Sequence, residues 1–473
     1  MASPPESAGV MLCSKCTEDN NLKVPAPCHL HRESIKDGNT TPLWQIRRFL
    51  YEETLSGDSI RLLQLEPGHD DQLIRCNLVV KSLDSNPVYT ALSYAWGDQT
   101  IKHEISCDGQ PLHIGENLHS ALWQIRQDNR ADALWVDAVC INQKNTTEKT
   151  AQVRKMRQIY EAAKLVICWL GKQETSDEDG FALMRDIYAQ FGDQSIFDLM
   201  NSSFETTKEL GLPGIDDLRW KALCKILYRP YFFRIWIVQE IIVARDCIIQ
   251  CGTHLIDRAA IFAIGATMER FHYVKEKIEA NIPLILDNTD STTNAVGGPN
   301  GTAPLIQGLT ITFSVRDLWA LKYMIDTGVA LKICQLLMNS RVFKATEPRD
   351  RIYALIGLCS DVSNTFIDYD KHIEDVQIEI AKICMLNLES WGSMIFSYVD
   401  REHHSDHLPS WVPDWTSGGP IQCPLAGSYY AYRVGTAPVP NWELLSNNVS
   451  FLDFSQSCPK KLGRKISISL VLI

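Results

Sequence analysis

Four groups of residues have the types and spacing to do chemistry. Cys13, Cys16 and Cys28, followed by His29 and His31, form a C-x2-C-x11-C-x2-H string. Three thiolates and one imidazole are the donor set of a tetrahedral zinc site, with His31 as fourth ligand and His29 as its alternative. Glu240 lies among Val238, Ile241, Ile242 and Val243. A carboxyl group held among apolar side chains is harder to ionise, which suits an acid/base or cation-stabilising role. Arg234 and Arg245 are close enough in sequence to give Glu240 a plain structural ion pair instead. Trp96-Gly97-Asp98 and Asn142-Gln143 each close an apolar run. Gly97 permits a sharp turn, Trp96 can stack on a flat ring, and Asn142 or Gln143 can bond a ribose or phosphate. The bland alternative makes Trp96 core and the amides loop caps. Asp137 stands inside Leu134–Ile141, where a carboxylate needs either a pocket or backbone donors.

Other chemistries are disfavoured. The chain has no G-x-G-x-x-G, no G-x-x-x-x-G-K-[ST], no H-E-x-x-H and no G-x-S-x-G, so the usual dehydrogenase, NTPase, zincin and serine-hydrolase signatures are missing. Cys140 sits in an apolar run with no histidine placed beside it, and reads as a core thiol. Against 46 Lys and Arg stand 57 Asp and Glu, a formal charge of −11; with no long basic run, a nucleic-acid surface is not expected. The amino terminus has neither the basic region nor the apolar core of a secretory signal, and no apolar run approaches the roughly 20 residues of a membrane span. Fifteen cysteines along such a chain are expected to be mostly reduced core thiols of a cytoplasmic protein.

The elements that must position these residues follow from periodicity. Tyr89–Tyr94, Leu134–Cys140 and Val166–Leu170 are short apolar runs ending in Gly, Asn or Asp clusters, as buried strands do. Between them lie helical segments. Leu118, Ala121, Leu122 and Ile125 form one apolar face, with Asn117 as cap. A second face is Val153, Met156, Tyr160 and Ala163, opened by Asn145 and Glu148 in the pattern of a capping box. Strand–helix alternation predicts an α/β domain over residues 58–285 with a parallel sheet, whose ligands belong at the carboxyl ends of the strands. Pro230 suits a helix first turn, and Cys247–Cys251 a short strand. A polar arm precedes the domain (1–45). A low-hydrophobicity linker follows (286–304), then a mainly helical region (305–420) and an irregular segment (421–473).

In order and spacing, the chain resembles the heterokaryon incompatibility (HET) domain family of filamentous fungi. The likeness is carried by Tyr89 with Ala91–Gly97, Leu134–Gln143, Gln152-Val153, Met156, Ile159-Tyr160, Ala163 and Trp169–Gly171. Tyr231-Phe232 with Arg234–Glu240, Thr346–Leu358 and Leu408–Trp415 continue it. Together these blocks cover roughly residues 60 to 415. The resemblance implies an intracellular protein of fungal non-self recognition and regulated cell death, working through protein partners or self-association. It also implies a distant kinship with TIR domains, hence a flavodoxin-like sheet flanked by helices. In TIR domains that cleave NAD, a glutamate follows a tryptophan by four positions on a helix, the spacing of Trp236 and Glu240. On that analogy Glu240 would be catalytic, with NAD as substrate in a cleft lined by Trp96, Gly97, Asp137, Asn142, Gln143 and Trp236.

Overall fold

A computed structural model of the chain describes residues 33–36, 39–42, 49–51, 54–69, 72–128, 133–191, 208–209, 211–214, 216–271, 274, 315, 317–386 and 407–416. All of these fall in one compact unit, residues 1–421. Cys13, Cys16, Cys28, His29 and His31, the linker 286–304 and the segment 421–473 lie outside the described residues.

Thr90–Tyr94 (β5) is buried at every position, which is how a strand covered on both faces must read. It pairs in parallel with Leu165–Trp169 (β9) on one side and with Leu134–Trp135 (β8) on the other. Cys247–Cys251 (β10) adds in parallel beyond β9. Taken in chain order these four strands run second, first, third, fourth across the sheet, the doubly wound order of flavodoxin-like folds. The expected α/β architecture is therefore present.

The sheet itself is mixed, which the strand–helix alternation did not reveal. Ser59–Leu65 (β3) joins β8 antiparallel and pairs with Arg75–Ser82 (β4). Lys102–Cys107 (β6) lies parallel to β4 and turns back into Gln110–Gly115 (β7). His254–Asp257 (β11) turns back on β10. Nine strands result, in the order β11-β10-β9-β5-β8-β3-β4-β6-β7. Asp108 and Gly109, both at positive φ (50° and 70°), make the two-residue turn between β6 and β7; Asp-Gly is the strongest short hairpin signal. β7 is an edge strand and carries Pro111. Glu33–Lys36 (β1) and Asn39–Pro42 (β2) form a separate antiparallel pair.

Helices cover the parallel part. Glu116–Asp128 (α1) buries Leu118, Ala121, Leu122 and Ile125 as its spacing requires. Asn117 is not its cap: it lies within the first turn, and its side chain reaches the sheet. The run Leu134–Cys140, expected to be all strand, is strand only to Trp135; Asp137–Cys140 is one helical turn (α2). A short run that is apolar apart from Asp137 serves a buried strand and a buried turn equally well. Thr146–Val153 (α3) is capped as expected, the Asn145 side chain accepting from the Glu148 amide at 3.1 Å. Met156–Ala162 (α4), Asp177–Phe191 (α5) and Leu218–Leu227 (α6) follow. Pro230 opens a 3-10 turn, Pro230–Phe233, rather than a long helix. Arg234 is extended, and Ile237–Val243 (α7) starts after Trp236. Arg258–Arg270 (α8) follows β11.

The helical region beyond the linker contains Ile333–Asn339 (α9), Asp350–Ile356 (α10) and Ile373–Leu386 (α11). It is bound to the α/β part by Arg154 Nε to the Ile367 carbonyl at 2.9 Å, Arg157 Nη1 to the Gly357 carbonyl at 2.7 Å and the Tyr369 amide to Thr150 Oγ1 at 3.2 Å. The ten described cysteines are free thiols, nine of them buried, in line with the reduced-thiol expectation. Cys140 is fully buried and its thiol is pushed up to about 12 by burial, so it is core. Among the described residues, no helix is long and apolar enough to cross a membrane.

Candidate functional site

The carboxyl ends of β5 and β8 converge on a polar corner. Its base is the α2 turn. Cys140 and Val139 amides both bond the Val136 carbonyl, so the chain doubles back directly after Trp135. The turn's far side is fixed by a buried ion pair, Arg61 on β3 with Glu148 on α3, at 2.6 Å and 3 % exposure on each side chain. Arg61 Nη1 also donates to the Cys140 carbonyl at 3.1 Å, and Glu148 Oε1 accepts from the Asn142 amide at 2.7 Å. Glu148 therefore does not reach back to complete a capping box; its carboxylate is used to hold the loop after α2. The Tyr51 hydroxyl donates to the Val139 or Ile141 carbonyl, at 3.0 and 3.2 Å.

This base presents Asp137 at the corner. Its Oδ1 accepts from the Ala138 amide at 2.7 Å, and its Oδ2 from the Trp96 indole at 3.0 Å. Gln143 Nε2 donates to the Asp137 carbonyl at 2.9 Å. The Tyr94 hydroxyl also bonds this carboxyl group. Burial pushes Asp137 up to about 6 against the pull of Arg234; Glu240 adds to the rise, while the Trp96 and Ala138 donors oppose it. A carboxylic acid so placed exchanges its proton near neutral pH.

Behind it lies the second carboxylate. Glu240 on α7 is 1 % exposed. It accepts from Ser93 Oγ and, at 3.3 and 3.5 Å, from Arg234. Ser93 Oγ lies 2.8 Å from the Tyr231 hydroxyl. Arg234 is 18 % exposed on its side chain. Burial disfavours its charge, but Glu240 and Asp137 outweigh that and hold it protonated. Arg234 is thus ion-paired with Glu240 and also acts on Asp137 through its charge.

Of the residues proposed from sequence, Trp96, Asp137, Gln143 and Glu240 converge here. Trp96 is 38 % exposed, a wall residue and not core. Gly97, at φ 65°, makes the turn behind it. Asp137 is not within a strand; it is the first residue of α2, which is why its side chain reaches the strand ends. Asn142 takes the bland role, its Oδ1 accepting from the Lys144 amide at 3.3 Å. Trp236 turns away from the corner, its indole donating to Asp350 Oδ2 at 2.9 Å. Of the two cations expected beside Glu240, Arg234 is the partner. Sequence reading missed Ser93 and Tyr94 as site residues, although hydroxyls in a strand buried on both faces signal a polar partner. Among the described residues no group of three or more His, Cys, Asp or Glu could hold a metal ion.

The strand order marks a different place, the crevice between β5 and β9 where the chain reverses direction across the sheet. Asn117 fills it. Its Nδ2 donates to the Ala95 carbonyl at 2.6 Å and its Oδ1 accepts from the Trp169 indole at 3.0 Å.

Residues 89–240, the span that holds β5, β8 and the residues of this corner, match the family model "Heterokaryon incompatibility protein (HET)". That span, about a third of the chain, is similar to the HET domain. The chain is 27% identical over 424 residues to "Heterokaryon incompatibility protein 6, OR allele" of Neurospora crassa, an alignment covering 78% of this chain and 59% of the relative. The chain thus spans less than two thirds of the length of that relative. No solved structure matches it.

Proposed function

We propose that this chain acts in heterokaryon-incompatibility-type non-self recognition in the cytoplasm of fungal cells, and that its HET domain triggers regulated cell death by associating with protein partners or with further copies of itself. The observation that carries this reading is the HET match over residues 89–240. The name of the Neurospora relative and the free thiols of the described cysteines support it, since such thiols suit a reducing compartment. The test is conditional expression of the full chain in a filamentous fungus, fused to a module whose clustering is controlled by a small molecule. Clustering is expected to kill the cells within hours of addition. Cells that keep growing with the clustered protein present would overturn the reading.

A second reading, a TIR-like NAD glycohydrolase whose NAD cleavage drives the death, is favoured by the pair Asp137 and Glu240 around Arg234. In that reaction the bond between ribose C1′ and the nicotinamide nitrogen breaks, and nicotinamide leaves with the electron pair. Water then bonds to C1′ and gives up a proton. The carboxylates would stabilise the cationic sugar between those steps. Asp137 beside Trp96 is the group a ligand can touch; Glu240 acts from behind through Arg234 and Ser93. Purified protein incubated with NAD, with and without clustering, separates the two readings. NAD loss abolished by Glu240→Gln in a folded protein supports the enzyme. Clustered protein that leaves NAD intact, together with a Glu240→Gln variant that still kills, leaves association alone.

A further inference from the structure

We infer that Asp350 is a positioning residue for the acid corner: through Trp236 it fixes the segment that carries Arg234 and Glu240, from 114 residues downstream of that tryptophan. The inference concerns the geometry of the corner and goes beyond either functional reading. It rests on the contacts that residues 344–357 make with the segment 233–240. Arg234 is extended, with φ −76° and ψ 133°, between a 3-10 turn and α7, and its guanidinium is held by Glu240. Trp236 is the N-cap of α7 and makes no side-chain cap bond to that helix. Its indole is used outward instead, on Asp350 Oδ2 at 2.9 Å.

The partner side is rigid. Asp350 is the first residue of α10. Its Oδ1 accepts from the Tyr369 hydroxyl. The Tyr369 amide in turn bonds Thr150 Oγ1 at 3.2 Å, and its ring stands edge-on to Tyr353 at 5.2 Å. A short backbone bridge adjoins the same place: the Ile235 amide donates to the Lys344 carbonyl at 2.9 Å, and the Lys344 amide to the Phe233 carbonyl. Gln239, next to Glu240, packs so close to Gly357 that an added Cβ there would lie 2.2 Å from its side-chain oxygen. Three contacts from residues 344–357 therefore meet the segment 233–240. Lys344, Asp350 and Gly357 all lie outside the matched span 89–240. A 1 Å displacement of Arg234 would alter its interaction with both carboxyl groups, because such forces fall steeply at short range.

The experiment reads the corner's geometry and not death or NAD loss, so its failure and the failure of either functional reading are separate results. The full chain is labelled with 5-fluorotryptophan, and the Trp96 fluorine resonance among the 12 tryptophans is assigned with Trp96→Phe. Because the Trp96 indole donates to Asp137 Oδ2, this resonance follows the ionisation of Asp137. Asp350→Ala is expected to raise the midpoint by about half a pH unit or more, since Arg234 is the strongest influence holding Asp137 down. Asp350→Asn, which keeps an acceptor, is expected to restore it. A folded Asp350→Ala protein with an unchanged Trp96 midpoint would overturn the inference. Should Asp350→Ala not fold, Trp236→Phe breaks the same bond from the other side, leaving Asp350 on Tyr369, and the same two outcomes decide.

Discussion

The two crevices that flank β5 start from the same kind of sequence and end differently. On the β9 side, where the doubly wound order directs a ligand, Asn117 spans the gap and uses both ends of its amide, one on Ala95 and one on Trp169. On the β8 side, a carboxyl group, a guanidinium and a second carboxylate meet beside a half-open indole. Topology nominates the first crevice, but there the amide is already engaged by the protein on both its oxygen and its nitrogen. The second holds a buried carboxyl group, and burial raises Asp137 to about 6. Strand order names candidate places; the hydrogen-bond account decides among them.

The largest way to break this contrast is at the base of the acid corner. Arg61→Ala strands the Glu148 carboxylate in the interior and removes the donor to Cys140. Breaking a buried pair from one side costs about 3–5 kcal/mol, to be read as a lowered urea midpoint. Replacing both partners together, Arg61→Met with Glu148→Leu, should recover most of that loss. A double variant as unstable as the single one would show that the contact with Cys140 dominates. Next comes the sealed crevice. Asn117→Leu leaves the Ala95 carbonyl and the Trp169 indole without the amide and is expected to cost about 1–3 kcal/mol, measured in the same way. If it costs nothing, Asn117 is no seal, and the β5/β9 crevice returns as a site.

The third prediction concerns pH. Asp137 has a folded-state pKa raised above that of the unfolded chain. The folded protein therefore binds more protons between those values, and ionisation costs stability as pH climbs through the window from about 4 to about 6. Asp137→Asn cannot ionise. Its Tm relative to the parent should rise with pH across that window, worth about 1–2 kcal/mol, and level off above it. A difference that runs the other way would mean the carboxylate is stabilised by Arg234 more than burial opposes it. The smallest effect belongs to Gln143→Ala, which removes one bond to the Asp137 carbonyl. It should cost about 0.5–1.5 kcal/mol and leave the Trp96 titration in place.

Much of the scaffold was legible because its signals are local. Ala91–Tyr94 had to be a strand, being a short apolar run between turns, and α1 had to be a helix with Leu118, Ala121, Leu122 and Ile125 inward. The pairing of Glu240 with Arg234 was also within reach, six residues apart. Asp108-Gly109 was legible but unread, and with it the β6–β7 hairpin. Other features have no local signature. Arg61 and Glu148 are 87 residues apart, and Trp236 and Asp350 are 114 apart; no spacing rule links such pairs. Asn117 fitted a cap because caps and buried amides draw on the same residue types. Asp137 was misplaced by one element because Leu134–Cys140 has no period that separates strand from turn.

The ends of the sheet carry a consequence for association. In the β6–β7 hairpin, Cys107 faces Gln110 across the turn and Ser106 faces Pro111, so the ring nitrogen of Pro111 stands on the side turned away from β6. At that edge one rung of the backbone ladder has no proton to offer. The opposite edge, β11, is only four residues long. A sheet finished this way makes a poor template for another strand. Among the described residues, the edges of the nine-stranded sheet therefore disfavour strand-to-strand pairing as a route by which copies could meet.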